Sequence, residues 1–451
     1  MQEELTVNIE SLSNSGYGIA KNDGLVIFVE NSCPGDIAKV KITKKNKSYA
    51  NAVITELITP SPHRTQPFCA LHKVCGACQL QFIDYDYQLE LKRQIVADAL
   101  KTIGQITDIE VKPTIPSPVT QAYRHKIQYP VSQTKVSKRI IAGYYKTGTH
   151  ETVNIKHCPL QPEICDRIID FIRTRAFDYG ISGYNEKKHN GDLRHVIIRT
   201  SAATGKNLVV LVVNSSKVFD RLNDFALAIF AEFKEVSGVC VNFNTKKTNV
   251  ILGDISQCVA GKDFIKERIL EKTFRIGANT FFQINPASAE NIFRHIKTYL
   301  NTHFEAPVIL DAYAGITAIG ICVSDVCKKV VSVEENKQSC ELAKLTLEAN
   351  NIDNVEIFNM DAAKFFEREK RRFDAVILDP PRKGCSQISL DNALRLSKSK
   401  IIYVSCNPAT LARDLKYLTS KGAHVELVQP FDMFCHTYHV ETLATIDVPT
   451  N

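Results

Sequence analysis

No apolar run in this 451-residue sequence is long enough to span a bilayer, which argues against a helical membrane protein. The N-terminus, Met1-Gln2-Glu3-Glu4-Leu5, lacks the basic and apolar stretches of a secretion signal. A soluble, cytoplasmic protein is the expectation. No internal repeat and no low-complexity segment occur, so a repeat array is not expected. Fourteen cysteines are many, but a long chain without a signal is not a secreted disulfide scaffold. Thiols in such a chain point to metal binding or catalysis. No G-x-G-x-x-G follows any strand, which argues against a pyrophosphate-bearing dinucleotide.

What is present fits two to three globular domains, each able to bury a core, with 44% hydrophobic residues. The net charge of +7 is compatible with a polyanionic partner without requiring one. Residues 1–58 alternate in short β-like stretches, such as Leu25-Val26-Ile27-Phe28-Val29, between Gly- and Asn-rich turns. That spacing suits an OB-like barrel. Lys39, Lys41, Lys44, Lys45 and Lys47 follow closely, as either a solvated face or a nucleic-acid contact. Pro60-Ser61-Pro62 marks a linker, and Cys69, Cys75 and Cys78 cluster just beyond it. Helix formers with a 3.6-residue apolar pattern predict a helix from Tyr87 to Leu100. Mixed strands and helices to about residue 281 predict a central α+β domain. Two basic pieces lie in it, Tyr123-Arg124-His125-Lys126 and Arg194 to Arg199. They read as ordinary strand surface or as phosphate contacts.

From residue 282 to 451 the pattern becomes βα alternation, with strands at Val308–Asp311, Val330–Val333, Val355–Phe358, Phe373–Asp379 and Ile401–Val404. Repeated βαβ units of this length predict a parallel, doubly wound α/β sheet. After Asp311 comes Ala312-Tyr313-Ala314-Gly315, a turn of the kind that lets backbone approach a nucleoside ligand. Glu334 ends the next strand, where a carboxylate can accept from ribose hydroxyls, and Asp361 follows the third, where it could meet an adenine amino group. A cofactor without phosphates, such as S-adenosylmethionine, fits this turn best. Asp379-Pro380-Pro381-Arg382 ends the fourth strand, and its two prolines stiffen the loop that carries Asp379. Ser405-Cys406-Asn407-Pro408 ends the fifth. A thiol at a strand's C-terminal tip lies where α/β sheets hold ligands. The tetrapeptide alone leaves a nucleophile and an inert buried thiol both open.

Phe281-Phe282-Gln283-Ile284-Asn285, Asp379-Pro380-Pro381-Arg382, Ser405-Cys406-Asn407-Pro408 and His439-Val440-Glu441-Thr442 occur together in this order. The chain thereby resembles the RNA uracil-5-methyltransferases over nearly its whole length. The resemblance implies a C-terminal Rossmann-like class I methyltransferase domain and an N-terminal OB-like TRAM domain that binds RNA. It implies S-adenosyl-L-methionine as cofactor and Cys406 as the nucleophile that adds to C6 of uracil. Glu441 is then the general base, Gln283 contacts the methionine part of the cofactor, and Phe281 packs near the flipped base. Tyr313, Gly315, Glu334 and Asp379 complete the cofactor and base pocket, and Asp361 matches more loosely. Cys69, Cys75, Cys78 and Cys158 match the ligands of the family's [4Fe-4S] cluster. By spacing alone, zinc and an iron–sulfur cluster both remain open.

The cluster pattern with a TRAM domain resembles the 23S ribosomal RNA branch. The expected activity is therefore transfer of methyl to C5 of a 23S rRNA uridine, with no membrane or obligate protein partner. A transfer-RNA enzyme, a non-catalytic RNA-binding protein and a cytosine enzyme are the alternatives. Three positions depart from the family. Thr317 stands where a second Gly is usual, Ala314 replaces a common Cys, and Cys435 replaces a Pro in the loop leading to Glu441. A backbone held further from the cofactor at Thr317 and a looser loop at Cys435 are the expectations.

Overall fold

The computed structural model describes residues 4–449. The chain divides into two compact units. The first comprises Met1–His72, Cys78–Ser117 and Ala375–Asn451, and the second comprises Lys73–Ala77 and Pro118–Asp374. Among the described residues no helix is long and apolar enough to cross a membrane.

In the first unit the N-terminal residues form a six-stranded sheet. Its spatial order is Glu4–Asn8, Ile37–Lys45, Tyr49–Thr59, Leu25–Glu30, Gly18–Asn22 and Ser11–Leu12. All neighbours are antiparallel except Leu25–Glu30 with Tyr49–Thr59. The Ile37–Lys45 and Tyr49–Thr59 ladder carries three register irregularities, each bending the pair as bulges do. Alternation turns Val7, Ala20, Ile27, Val29, Ala38, Val40 and Ala52 into one core. Lys39, Lys44, Lys45 and Lys47 are exposed, with Lys39 paired to Glu56 at 2.6 Å. Buried Asp36 ties this sheet to the linker. It accepts two bonds from Arg64 and one each from the Cys33 and Ser61 amides.

The predicted helix runs Tyr85–Ala99, capped by Asp84, and continues as a π-helical turn, Leu100–Gly104. It packs with the helix Pro408–Ser420. The C-terminal strands of this unit are antiparallel. Glu441–Asp447 lies between Ser397–Ser405 and His424–Phe431. This departs from a purely parallel sheet, because the chain turns back in a hairpin-like return after Phe431 rather than crossing over through a helix.

The second unit holds a six-stranded mixed sheet: Ile255–Gly261, Val236–Phe243, Asn207–Val213, Leu193–Thr200, Lys126–Gln133 and Ile140–Ala142. Helices Glu163–Arg175 and Asp220–Glu232 accompany it. Asn207–Val213 is fully buried, which its continuous apolar run requires. The arginines of the two basic pieces are not plain strand surface, since Arg124, Arg194 and Arg199 are all buried. Arg194 and Arg199 are buried and donate to carbonyls, Arg194 to Asn244 and Lys246, Arg199 to Ala278 and Thr280. The unit's βαβ part runs Val308–Ala312, helix Ala318–Val323, Lys329–Glu334, helix Lys337–Ala349 and Val355–Asn359, its strands parallel.

Candidate active site

Within the first unit the strand register decides which side chains meet. Ser405 lies opposite Thr442, so continuing one residue past the strand end sets Cys406 beside Glu441. Helix Pro408–Ser420 begins immediately after, with Asn407 as N-cap and Pro408 at the first turn. Cys406 is half-buried and Glu441 only 4% exposed. Burial pushes the Glu441 carboxyl up to about 8. The Asp379 charge adds to that rise and Arg382 opposes it. Asp379 is itself pushed up to about 7 by burial.

The Cys406 thiol rises to about 11, first from burial, then from the Glu441 and Asp379 charges, while Arg382 lowers it by charge and by hydrogen bonding. The Cys406, Glu441 and Asp379 groups are therefore coupled in their titration. At neutral pH Glu441 holds its proton, and its repulsion of the thiolate is then absent. Arg382 becomes the dominant charge acting on Cys406, in the direction that favours ionisation.

The loop bearing Asp379 and Arg382 is clamped onto helix Pro408–Ser420. Asn407 Nδ2 and Thr410 Oγ1 each donate to the Arg382 carbonyl at 3.2 Å. Arg413 donates to the carbonyls of Lys383 and Cys385. Buried Asp414 accepts from the Cys385 amide and the Tyr403 hydroxyl. Gly384 has φ +73°, and a Cβ there would sit 2.5 Å from Asp414, so only glycine fits. The Arg382 guanidinium also contacts the His439 ring at 2.9 Å.

The loop leading to Glu441 is anchored despite Cys435. Lys92 and Asp432, both fully buried, pair at 2.6 Å. Lys92 also donates to the Phe434 carbonyl, and the Tyr85 hydroxyl donates to the other Asp432 oxygen. Gln88 accepts from the His436 amide, and the His436 carbonyl accepts from Gln79 and Leu80. Helix Tyr85–Ala99 thus anchors the loop in which Cys435 stands.

In the second unit the turn after Val308–Ala312 gathers Gly315 and Glu334. The Glu334 carboxylate accepts from the Gly315 amide at 2.9 Å and the Asn336 amide at 2.7 Å. Tyr313, Gly315 and Thr317 all have left-handed backbone, with φ near 62°, 57° and 59°. Thr317 therefore keeps the left-handed conformation a glycine would supply. It does so with a fully buried side chain whose hydroxyl lacks a hydrogen-bond partner. Asp311 accepts from the Gly320 amide at 3.0 Å, and a Cβ on Gly320 would meet Asp311 and Ser332 at 2.9 Å. A Cβ on Gly315 would meet no described atom within 4 Å, so the turn faces open space beside a fixed carboxylate. That suits a nucleoside ligand with hydroxyls to donate.

Asp361 is the N-cap of helix Ala362–Arg368 and accepts from the Lys364 amide. Phe281 is 62% exposed and Gln283 half-buried. Arg199 holds the turn before them, and the His125 amide donates to the Ile284 carbonyl.

Cys69 and Cys78 belong to the first unit, Cys75 and Cys158 to the second. Among the described residues no group of three or more His, Cys, Asp or Glu is arranged to hold a metal ion, and no disulfide is present. Sequence reasoning gave no role to Arg382, Asp414 or Lys92. Arg382 had a signal in its motif, while the other two had none.

The chain has clear relatives. The tRNA (uracil-5-)-methyltransferase family model matches residues 254–447, and the TRAM domain model matches residues 2–55. An uncharacterized RNA methyltransferase of Bacillus cereus is 36% identical over 446 residues, 98% of this chain and 96% of its own. One from Clostridium tetani is 37% identical over 438 residues, 96% and 94% of the two chains. The crystal structure of Pyrococcus abyssi tRNA (uracil-54, C5)-methyltransferase in complex with S-adenosyl-L-homocysteine superposes with a TM-score of 0.78. It is 29% identical and covers 98% of this chain and 100% of its own.

Proposed function

The chain belongs to the RNA uracil-5-methyltransferase family, and we propose that it methylates C5 of a uridine in 23S rRNA through a covalent Cys406–C6 adduct. The observation that carries this reading is Cys406 set beside Glu441, with Asp379 and Arg382 acting on both. S-adenosyl-L-methionine, when bound, supplies an electrophilic methyl group. Tyr313, Gly315 and Glu334 would hold its nucleoside, Gln283 its methionine part, and Asp361 and Asp379 the remainder. The open face of Gly315 and the fixed Glu334 carboxylate fit that ligand.

Uracil C5 is a poor nucleophile. Addition of the Cys406 sulfur to C6 makes it an enolate carbon able to take the methyl group. The C5 proton must then leave. Glu441, pushed up to about 8, accepts the C5 proton in its ionised form, the minority at neutral pH, and the raised value makes that form a stronger base. Loss of that proton lets the C6–sulfur bond break and regenerates Cys406. The target base must be unstacked, which favours a loop or single strand, and exposed Phe281 offers it a ring to pack on.

The exposed lysines of residues 1–58 and the central residues 59–281 would hold flanking RNA, with residues 282–451 as the catalytic domain. A cytoplasmic site of action follows from that substrate. The [4Fe-4S] assignment to Cys69, Cys75, Cys78 and Cys158 rests on the family resemblance alone, since their spacing suits zinc as well. No chemical step is routed through it. Anaerobic purification should yield iron and acid-labile sulfide in equal amounts, whereas zinc alone would contradict a cluster.

A transfer-RNA uridine is the second reading, favoured by the likeness to the Pyrococcus enzyme over the full chain. Mapping of 5-methyluridine after incubation with separate 23S rRNA and tRNA decides between them. Methyl in rRNA alone supports the proposal, and methyl in tRNA alone overturns it.

A further inference from the structure

Two thiols outside both sites face each other across the central sheet. Strand Val236–Phe243 pairs antiparallel with edge strand Ile255–Gly261, and Cys240 lies directly opposite Cys258. Cys240 is buried and Cys258 is exposed. Each thiol acts on the other's ionisation: Cys258 raises the Cys240 thiol and Cys240 lowers the Cys258 thiol, whose own S–H donates to the Ala260 and Gly261 carbonyls at 3.4 and 3.6 Å. Opposed Cβ atoms in a regular ladder stand about 4.5–5.5 Å apart, and a disulfide needs about 3.5–4.5 Å. The ladder is irregular at this point: Val239 pairs with Ala260 and Cys240 with Cys258, leaving Val259 as the extra residue of a bulge. A bulge disrupts the ladder and increases local twist, which supplies the slack for the sulfurs to close.

We propose that Cys240 and Cys258 are an oxidisable dithiol that closes to a cross-strand disulfide under peroxide. The exposed Cys258, as thiolate, attacks the peroxide O–O bond and becomes a sulfenic acid, releasing water. The Cys240 sulfur then attacks that sulfur and displaces a second water. Two thiols and one hydrogen peroxide thus give one disulfide and two waters. Desolvation raises both thiols above the ordinary value, Cys240 by burial and Cys258 partially, which makes the reaction slower than that of a free cysteine. Cys258 is the exposed thiol of the pair and Cys240 the buried one, which fixes the order of attack.

The bond would also reach the substrate-side loop. The edge strand is linked to Asn279, two residues before Phe281. Ser256 Oγ donates to Asn279 Oδ1 at 2.6 Å, and Asn279 Nδ2 donates to the Asp254 carbonyl at 3.2 Å. Asn242, on the partner strand, donates to the Gly253 and Ile255 carbonyls. Tethering Cys258 therefore stiffens the strand on which this loop hangs.

The test is peptide mapping by mass spectrometry, without reduction, of the full-length protein after graded hydrogen peroxide. A peptide carrying Cys240 linked to one carrying Cys258 is expected in the wild type. In Cys258→Ser it should be absent, and Cys240 should stay reduced. Hydrogen exchange at Asn279–Gln283 should slow on oxidation and recover with dithiothreitol. Absence of that linked pair, or Cys258 joined to another cysteine, would overturn the proposal. A bond that forms while exchange in the loop is unmoved would overturn the coupling.

Discussion

The thiol–carboxylate centre and the cofactor turn are built by different physics. Around Cys406, function comes from taking ionisable groups out of water. Glu441, Asp379 and Cys406 all rise above their ordinary values through burial, and one guanidinium, Arg382, opposes the rise of Glu441 and Cys406. Around Gly315, Glu334 is fixed by two backbone amides, and shape comes from left-handed backbone. A centre that must move a proton keeps its groups near the pH of use. A turn that only holds a ligand needs a pre-formed shape. The two should respond to mutation in different ways.

The largest contrast is expected at Glu441. Glu441→Gln should lower turnover by about 10²–10⁴-fold, while the covalent adduct accumulates. The same change should improve stability at high pH. The wild-type carboxyl titrates near 8 when folded and near 4.5 when unfolded. Between those values the folded state binds more protons, so wild-type stability falls as pH rises and levels off above 8. Melting scans from pH 5 to 9 should show the glutamine variant gaining on wild type across that window. Parallel curves would contradict the buried, proton-holding Glu441.

Next comes the anchor of the Glu441 loop. Lys92→Met leaves Asp432 buried and uncompensated, at a cost of about 3–5 kcal/mol. Denaturant titration should show the double variant Lys92→Met/Asp432→Leu recovering most of it. A double variant as unstable as the single one would show that packing, not charge, holds the loop.

The smallest effect belongs to the turn. In Thr317→Gly, relief of left-handed backbone contributes about 1–2 kcal/mol and removal of an unpartnered buried hydroxyl about 1. Lost methyl packing costs about 1 kcal/mol and the freedom of glycine up to about 1. The balance is a gain of about 1 kcal/mol with cofactor binding retained. Calorimetry on the variant checks both, and weaker binding would show that the Thr317 side chain, not the backbone path, serves the ligand.

Much of the centre was legible because its residues sit in short local motifs. Asp379, Arg382 and Cys406 end strands that their own apolar runs announce. What was not legible depends on distance along the chain or on burial. Cys406 and Glu441 meet through an antiparallel register that no local pattern specifies. Lys92 and Asp432 are 340 residues apart. Arg194 and Arg199 look like surface cations in sequence, yet they bond buried carbonyls. The helical cap at Asp361 was readable from the Asp before Ala362, but the cofactor reading took precedence. Left-handed Tyr313 and Thr317 run against the preferences of their residue types, as residues at ligand turns often do.

The covalent step is the central claim, and 5-fluorouridine tests it most directly. Fluorine at C5 cannot leave as a proton does, so methylated substrate stays bound to the sulfur. Incubation of wild-type protein with S-adenosyl-L-methionine and 5-fluorouridine-substituted 23S rRNA fragments should give a denaturation-resistant protein–RNA complex, and Cys406→Ala should give none. A wild type that forms no complex on RNA it methylates, or a complex that persists in Cys406→Ala, would contradict the assignment of Cys406 as nucleophile.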